Sequence, residues 1–459
     1  MAQRDYDVVV IGSGAAGLAA SVMAHDAGAR VLVLEADGII GGSSRLSGGH
    51  FYAAGTSIQR EAGVQGDTPD AMYDYFMTLN QWKVEPGVVR KYCDYAAPTF
   101  EWLRSLGVVY RPERVYISGI DSVPRGHPPE GEGLAVVKVL DAGRIGRNVD
   151  LALMTRAERL ITGAHGEIAG VVADGDTVRA PAVVIASGGF GHNPEFLQKF
   201  WPDSQMAGDW TWCISGPKAL GDGISLGEAV GGTIGGHNRG LLLLTPGFGR
   251  DLEVSAPPWS VIVSREGRRF TSETAPYTVM AGLFKRNGGS GYAIFDEEAR
   301  KQAAFGPSFN ADNLATKADE GRIVRANTID ELAALAKINA APLKGTIEMY
   351  NASVDAGYDN AYLKAAQHLR PIRTAPFYAV EMRPAIIAWT GTGLRIDPDT
   401  RVIGQDERPI RGLFAAGETV GSFHGDVYIG GGGSYGPAVT FGRIAGANAA
   451  REALASPDR

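Results

Sequence analysis

The chain has 459 residues, 44% hydrophobic and 21% charged, a composition suited to a globular protein with more than one core. A net charge of -7 excludes the basic face that nucleic acid requires. The only cysteines, Cys93 and Cys213, exclude a disulfide framework, a Cys-rich zinc pattern and a haem attachment motif.

The first elements read strand, glycine turn, helix, strand, over 6–11, 12–14, 15–27 and 30–35. The apolar run 8–24 holds Gly12, Gly14 and Gly17 and follows Asp5 and Asp7 rather than a basic cluster, so it reads as the start of a folded unit and not as a signal or anchor. No other run reaches membrane-spanning length, and a cytoplasmic protein without a membrane span is expected. Gly12-Ser-Gly14-Ala-Ala-Gly17 follows the strand and opens the helix, and Glu35 ends the next strand. Glycines there permit a tight turn and close approach of a pyrophosphate to a helix N-terminus, while Glu35 would accept hydrogen bonds from a ribose.

Residues 37–55 are rich in glycine and serine, 70–106 show helical spacing, and 111–133 read as a polar connector leading to a helix over 134–143. Strands follow over 151–158, 168–173 and 182–186, then a helix from Gly221. The texture changes over 236–375, with mixed polar strands and one helical run over 328–354, as in an inserted cap. The chain returns through 394–397 and 413–418, and no internal repeat is present. The expected organisation is α/β: a Rossmann-like dinucleotide domain over 1–235 and 376–459, with an α+β capping domain over 236–375.

Near the end, Ala415-Ala-Gly-Glu418 is followed by His424, Tyr428, four glycines at 430–433 and Ser434, running into a helix. Consecutive glycines let backbone N–H groups approach a bound group, and a tyrosine hydroxyl just ahead can aim at the same point. The pattern suits two donors on a carbonyl oxygen beside a cofactor.

With Gly41-Gly-Ser-Ser44, Ala186-Ser-Gly-Gly189, Gly221-Asp-Gly223, Gly267-Arg-Arg-Phe270 with Glu273, Ala415–Glu418 and Phe441-Gly-Arg-Ile-Ala-Gly446, the chain resembles the flavoproteins of the fumarate reductase and succinate dehydrogenase family over nearly its whole length. The resemblance implies FAD, held through Gly12, Gly14, Ala15, Ala16, Gly17, Glu35, Ala36, Gly41, Gly42, Ser43, Ser44, Ser47, Gly48, Gly49, Ala157, Ala186, Ser187, Gly188, Gly417, Glu418, Gly433, Ser434 and Tyr435. The family's covalent attachment uses a histidine near Ser44; the loop Ser43-Ser-Arg-Leu-Ser-Gly-Gly49 has none, so noncovalent FAD is expected. No metal site is expected.

Fumarate reductases clamp a dicarboxylate with arginines and use one arginine as proton donor; the family pattern places Tyr277 where the donor would stand and Tyr428-Ile429 in the neighbourhood of a clamp arginine. The histidine that helps to bind the dicarboxylate is not evident around Ala388–Gly391. Ser272–Tyr277 and Tyr428-x-Gly-x-Gly432 are instead similar to the 3-ketosteroid dehydrogenase branch. That similarity implies that Tyr428 and the Gly432 N–H bind a ketone oxygen and that Tyr277 removes the alpha proton, with help from Tyr116 or Tyr110, Tyr116 being preferred. His424 is expected to order its loop and His127 to line the pocket, and Arg125 or Arg45 could pair with a substrate carboxylate. The expected partners are a cyclic ketone, either a 3-ketosteroid or a smaller cyclohexanone such as 4-oxocyclohexanecarboxylate, and an unidentified electron acceptor. The alternatives are a reductase of an unsaturated carboxylic acid and a flavin-binding protein without turnover.

Overall fold

A computed structural model describes residues 4–250, 252 and 255–455. The chain forms two compact units, one from Met1–Pro202, Cys213–Leu241 and Ala388–Arg459 and the other from Asp203–Trp212 and Leu242–Ile387.

The first unit is built on a six-stranded sheet in the order Arg401–Ile403, Pro409–Ala415, Ala182–Ile185, Val8–Ile11, Val31–Leu34 and Asp150–Ala152. All neighbours are parallel except the first pair. The inner strands read VVVI, VLVL and AVVI and are buried throughout, as expected of parallel strands covered on both faces. The helices Ala15–Asp26 and Tyr435–Ala455 pack on this sheet and on each other. Their contact is backbone-close, because a Cβ on Gly442 or Gly446 would collide with the carbonyl oxygen of Ala16 or Ala20.

Residues 111–133 are more than a connector. They supply the strands Tyr116–Ile117 and Pro124–His127, which form a small antiparallel sheet with Phe51–Tyr52. Arg125 is buried there between two carboxylates, at 2.6 Å from Asp67 and 3.0 Å from Asp121. It is committed to these partners, which argues against the expected pairing with a substrate carboxylate. His127 is also buried and does not line the large cleft described below. Its Nδ1–H donates to the carbonyls of Arg125 (2.8 Å) and Phe51 (3.1 Å), and its Nε2 accepts from the Thr56 hydroxyl at 2.9 Å. Thr56 in turn caps the helix Ser57–Glu61.

In the second unit Val261–Val263, Gly291–Asp296 and the start of Phe377–Thr390 pair antiparallel. Alternation places Val261, Val263, Ile294 and Ala379 in one core and Ile262, Ala293, Phe295 and Val380 in another, so the sheet is apolar on both faces. The edges of this unit fall at 241/242 and 387/388 instead of 235/236 and 375/376. The second shift follows from pairing, since Phe377 to Met382 bond across to Asp296 to Gly291. Residues 203–212 join this unit through tryptophans: Trp212 Nε1 donates to Thr245 at 3.1 Å, and the Arg383 guanidinium lies 4.2 Å from the Trp210 ring. The helical run over 328–354 is two helices, Ile329–Ala336 and Ala340–Asp355, broken at Lys337 with φ of 56°.

Burial holds His127 well below the usual imidazole range, at about 4. The unfolded chain therefore binds the proton first as pH falls through about 6.5. This buried imidazole contributes stability that is complete above that pH and is lost as pH falls toward 4. Urea unfolding at pH 7 and pH 4.5 is expected to show an acid loss in the wild type that exceeds the loss in His127→Gln by about 2–3 kcal/mol. Equal losses in the two proteins would remove the neutral-imidazole account.

Candidate active site

A cleft with about 1350 Å³ of free space opens at the C-terminal ends of the parallel strands in the first unit. This is where a doubly wound sheet leaves room for a ligand. Of the expected cofactor contacts, all but Gly17, Gly41, Gly48, Gly49 and Gly433 line it. Gly17 serves packing instead, since a Cβ there would collide with the Gly12 carbonyl. Gly433 lines a smaller adjoining cavity with His424 and Glu418.

The residue types fit a dinucleotide. A Cβ on Gly42 or Gly188 would meet nothing within 4 Å, so the backbone there is open to a ligand. The Ala15 N–H donates to Ser44 Oγ at 3.0 Å, tying the first glycine turn to the second. Glu35 is buried and accepts from the Ser13 N–H (2.9 Å), the Ser13 hydroxyl (2.6 Å) and the Asp37 N–H (2.8 Å), leaving room on its carboxylate for a further donor. Glu418 Oε1 accepts from the Thr390 N–H and hydroxyl, each at 2.8 Å, and burial raises the carboxyl above its ordinary range. Ser215, Gly216 and Lys218 form part of the wall and were not anticipated, because no local motif marks that return of the chain. The one arginine on the wall, Arg156, is forked to Asp222 at 2.6 and 2.8 Å.

The closing loop gathers residues from three distant segments. Tyr428 is buried, its hydroxyl donates to Ser434 Oγ at 3.1 Å, and Ser434 lines the cleft. Burial pushes the Tyr428 phenol above its ordinary value. The His424 Nε2–H donates to the Gly433 carbonyl at 2.7 Å, and its ring lies 4.7 Å from Trp389 and 5.0 Å from Tyr428. Burial lowers this imidazole to about 3, which suits a neutral loop support rather than an acid or base. The Gly431 N–H donates to Ser118 Oγ and the Gly433 N–H to the Gly430 carbonyl. Between them the Gly432 N–H, at φ of 98°, meets no acceptor among the described residues.

Tyr116 lies against this loop, where a Cβ on Gly431 would collide with its hydroxyl. That hydroxyl is 2.6 Å from His50 Nδ1, a partner that sequence reasoning missed because nothing near residue 50 or residue 116 names the other. Tyr110 is buried apart from this group, beside Phe100. Tyr428, Gly432 and Tyr116 thus share the first unit, whereas Tyr277 belongs to the second. Tyr277 is half-buried and begins the helix Tyr277–Arg286. The preceding turn is anchored by Glu273, which takes Arg269 at 2.6 Å and Lys364 at 3.0 Å in a buried cluster with Asp359.

Two glycine substitutions separate folding from binding. Gly12 has φ of 105° and a Cβ there would collide with the Ala186 carbonyl, so Gly12→Ala is expected to destabilise the protein by about 1–3 kcal/mol. Gly14 has an ordinary φ of -66° and faces the cleft, its nearest neighbour for a Cβ being Ser44 Oγ at 3.5 Å. Gly14→Leu should keep the melting temperature of the flavin-free protein but purify with little flavin. Full flavin content in Gly14→Leu would refute the placement.

Residues 7–434 match the FAD binding domain family. The chain is 30% identical to a fumarate reductase (cytochrome) of Shewanella frigidimarina, over 97% of this chain and 77% of that one. The solved 3-ketosteroid-delta4-(5alpha)-dehydrogenase of Rhodococcus jostii is 26% identical, with a TM-score of 0.79 over 98% of both chains. The 3-ketosteroid delta1-dehydrogenase of Sterolibacterium denitrificans, at 24% identity and a TM-score of 0.83 over 97% of this chain and 99% of that one, shares the fold. The protein belongs to the FAD binding domain family and is an FAD-dependent oxidoreductase acting on CH–CH groups.

Proposed function

We propose that the protein is a cytoplasmic dehydrogenase that introduces a C=C bond alpha,beta to the carbonyl of a cyclic ketone, a 3-ketosteroid or a smaller cyclohexanone. The observation that carries this reading is the Gly432 N–H, held without a protein acceptor four residues after Tyr428 in a loop that reaches the cleft through Ser434. The cleft residues, from the Gly12–Gly14 turn and Glu35 to Gly417, Glu418 and Ser434, hold FAD noncovalently. Bound there, the flavin would supply the hydride acceptor.

Tyr428, turning its hydroxyl from Ser434, and the Gly432 N–H donate to the ketone oxygen and stabilise charge as it develops toward an enolate. This makes the alpha proton acidic enough for removal by Tyr277, the first residue of the helix Tyr277–Arg286. Tyr116 assists in moving that proton. Two arginines that could clamp a carboxylate are already engaged, Arg125 with Asp67 and Asp121 and Arg239 with the His424 carbonyl and Asp426, whereas the buried Nε of Arg45 has no partner among the described residues. The near-complete mutual coverage with the Rhodococcus enzyme also supports this reading. The 30% identity to the Shewanella fumarate reductase favours the second reading, an FAD-dependent reductase of an unsaturated carboxylic acid.

Anaerobic mixing with 3-ketosteroids and substituted cyclohexanones should bleach the bound flavin. No bleaching by any ketone, together with reoxidation of reduced enzyme by fumarate-like acids, would establish the reductase instead. Tyr428→Phe removes one donor from the carbonyl and should raise the barrier by about 2–4 kcal/mol. Tyr277→Phe should abolish bleaching while keeping the flavin bound, and a near-normal rate would disprove its role as base.

A further inference from the structure

We propose that His50 and Tyr116 form a proton relay behind the closing glycine loop, in which His50 takes the proton of the Tyr116 hydroxyl during ketone oxidation and returns one to water. The inference rests on the desaturase reading and adds a residue with no place in it so far. The geometry is a pair of hydrogen bonds against that loop. The Gly431 N–H donates to Ser118 Oγ, and Tyr116 Oη lies 2.6 Å from His50 Nδ1. The two rings meet edge to face at 5.5 Å and 78°, which leaves the imidazole nitrogen in line with the phenol.

Neither side chain has room to drift. A Cβ on Gly126 would press into the Tyr116 ring, one on Gly431 would strike its hydroxyl, and one on Gly48 would fall 3.1 Å from His50 Nε2. The far nitrogen of His50 lies beside the exposed Gly48, while Nδ1 faces Tyr116. The charged groups acting on His50 are Arg114 and Glu132, which oppose one another, and burial is the larger influence. These keep the imidazole below its ordinary range, with the Nδ1 lone pair free to accept from Tyr116. Tyr116 also acts electrostatically on Tyr428, so the relay begins beside a proposed carbonyl donor.

Oxidation of a CH–CH pair next to a ketone leaves one proton to be cleared for each hydride removed. In the relay the Tyr116 O–H bond breaks and an Nδ1–H bond forms on His50. The phenolate oxygen takes up, in exchange, the proton given up by the ketone. The imidazolium gives its Nε2 proton to water and is left neutral as the Nδ1–H tautomer, which proton exchange with water returns to the Nε2–H form, and no electron moves. His50 therefore acts through Tyr116 and is a positioning and relay residue without substrate contact.

The test uses flavin-loaded enzyme and a ketone that bleaches the wild type. His50→Ala should slow bleaching about 10–100-fold with flavin content unchanged, added imidazole should restore part of the rate, and the acid limb of the kcat/KM profile should disappear. Tyr116→Phe should lose the same limb, which keeps the test decisive if His50→Ala does not retain flavin. A second readout needs no ketone: nitrogen NMR of the wild type should show His50 protonated at Nε2, and Tyr116→Phe should shift its Nδ1 resonance. A reactive wild type whose His50 and Tyr116 variants keep the pH profile and rate, or a His50 protonated at Nδ1 and indifferent to Tyr116→Phe, overturns the relay alone. A wild type that no ketone reduces overturns the desaturase reading and the relay with it.

Discussion

The backbone contact between the helices Ala15–Asp26 and Tyr435–Ala455 is the constraint on which the site depends. Gly442 and Gly446 let the second helix settle against the carbonyls of Ala16 and Ala20, closer than any side chain would permit. Each helix begins at a glycine loop, the first at Gly12–Gly14 and the second at Gly430–Gly433. Drawing the helices together therefore brings both loops to one end of the parallel sheet. The Ala15–Ser44 bond adds the 41–44 loop to the same assembly.

Around that frame, charge is handled by pairing and not by solvent. Arg125 is enclosed by Asp67 and Asp121, and Tyr52 also donates to Asp121. Removing one member would strand a buried charge, so the group fixes the floor from which Tyr75 reaches the Ile429 carbonyl at 3.3 Å. In the other unit the Arg269–Glu273–Lys364–Asp359 cluster does the same for the turn that precedes Tyr277. Burial holds Lys364 down to about 8, a sign of how much solvation that anchoring forgoes.

What could be read from sequence was local. Gly12 and Gly14 have reasons contained within a single strand–turn–helix, and Glu35 lies within reach of the same turn, so their spacing announces their use. The wall at Ser215, Gly216 and Lys218 has no such signature, because a passing segment needs only to be small and near. Arg125 was misread for a related reason: an isolated arginine in a sequence does not reveal that Asp67 lies beside it. The unit edges were misplaced because composition tracks polarity, whereas membership of the second unit is decided by the register of Phe377 to Met382 against Asp296 to Gly291. His50 escaped notice because its value lies wholly in a contact across 66 residues.

The pairing of the first helix with one that starts at Tyr435 also bears on how the protein is made. The strand Val8–Ile11 has Val31–Leu34 as an early neighbour, but Ala182–Ile185 and then Pro409–Ala415 come much later. Contacts of such sequence separation form slowly, since loop closure precedes any reward. During synthesis the helix Ala15–Asp26 must therefore wait for its partner surface at Gly442 and Gly446 until more than four hundred residues have emerged. The nascent chain is left open to chaperone binding throughout that interval, and the complete FAD site appears among the last structures to form.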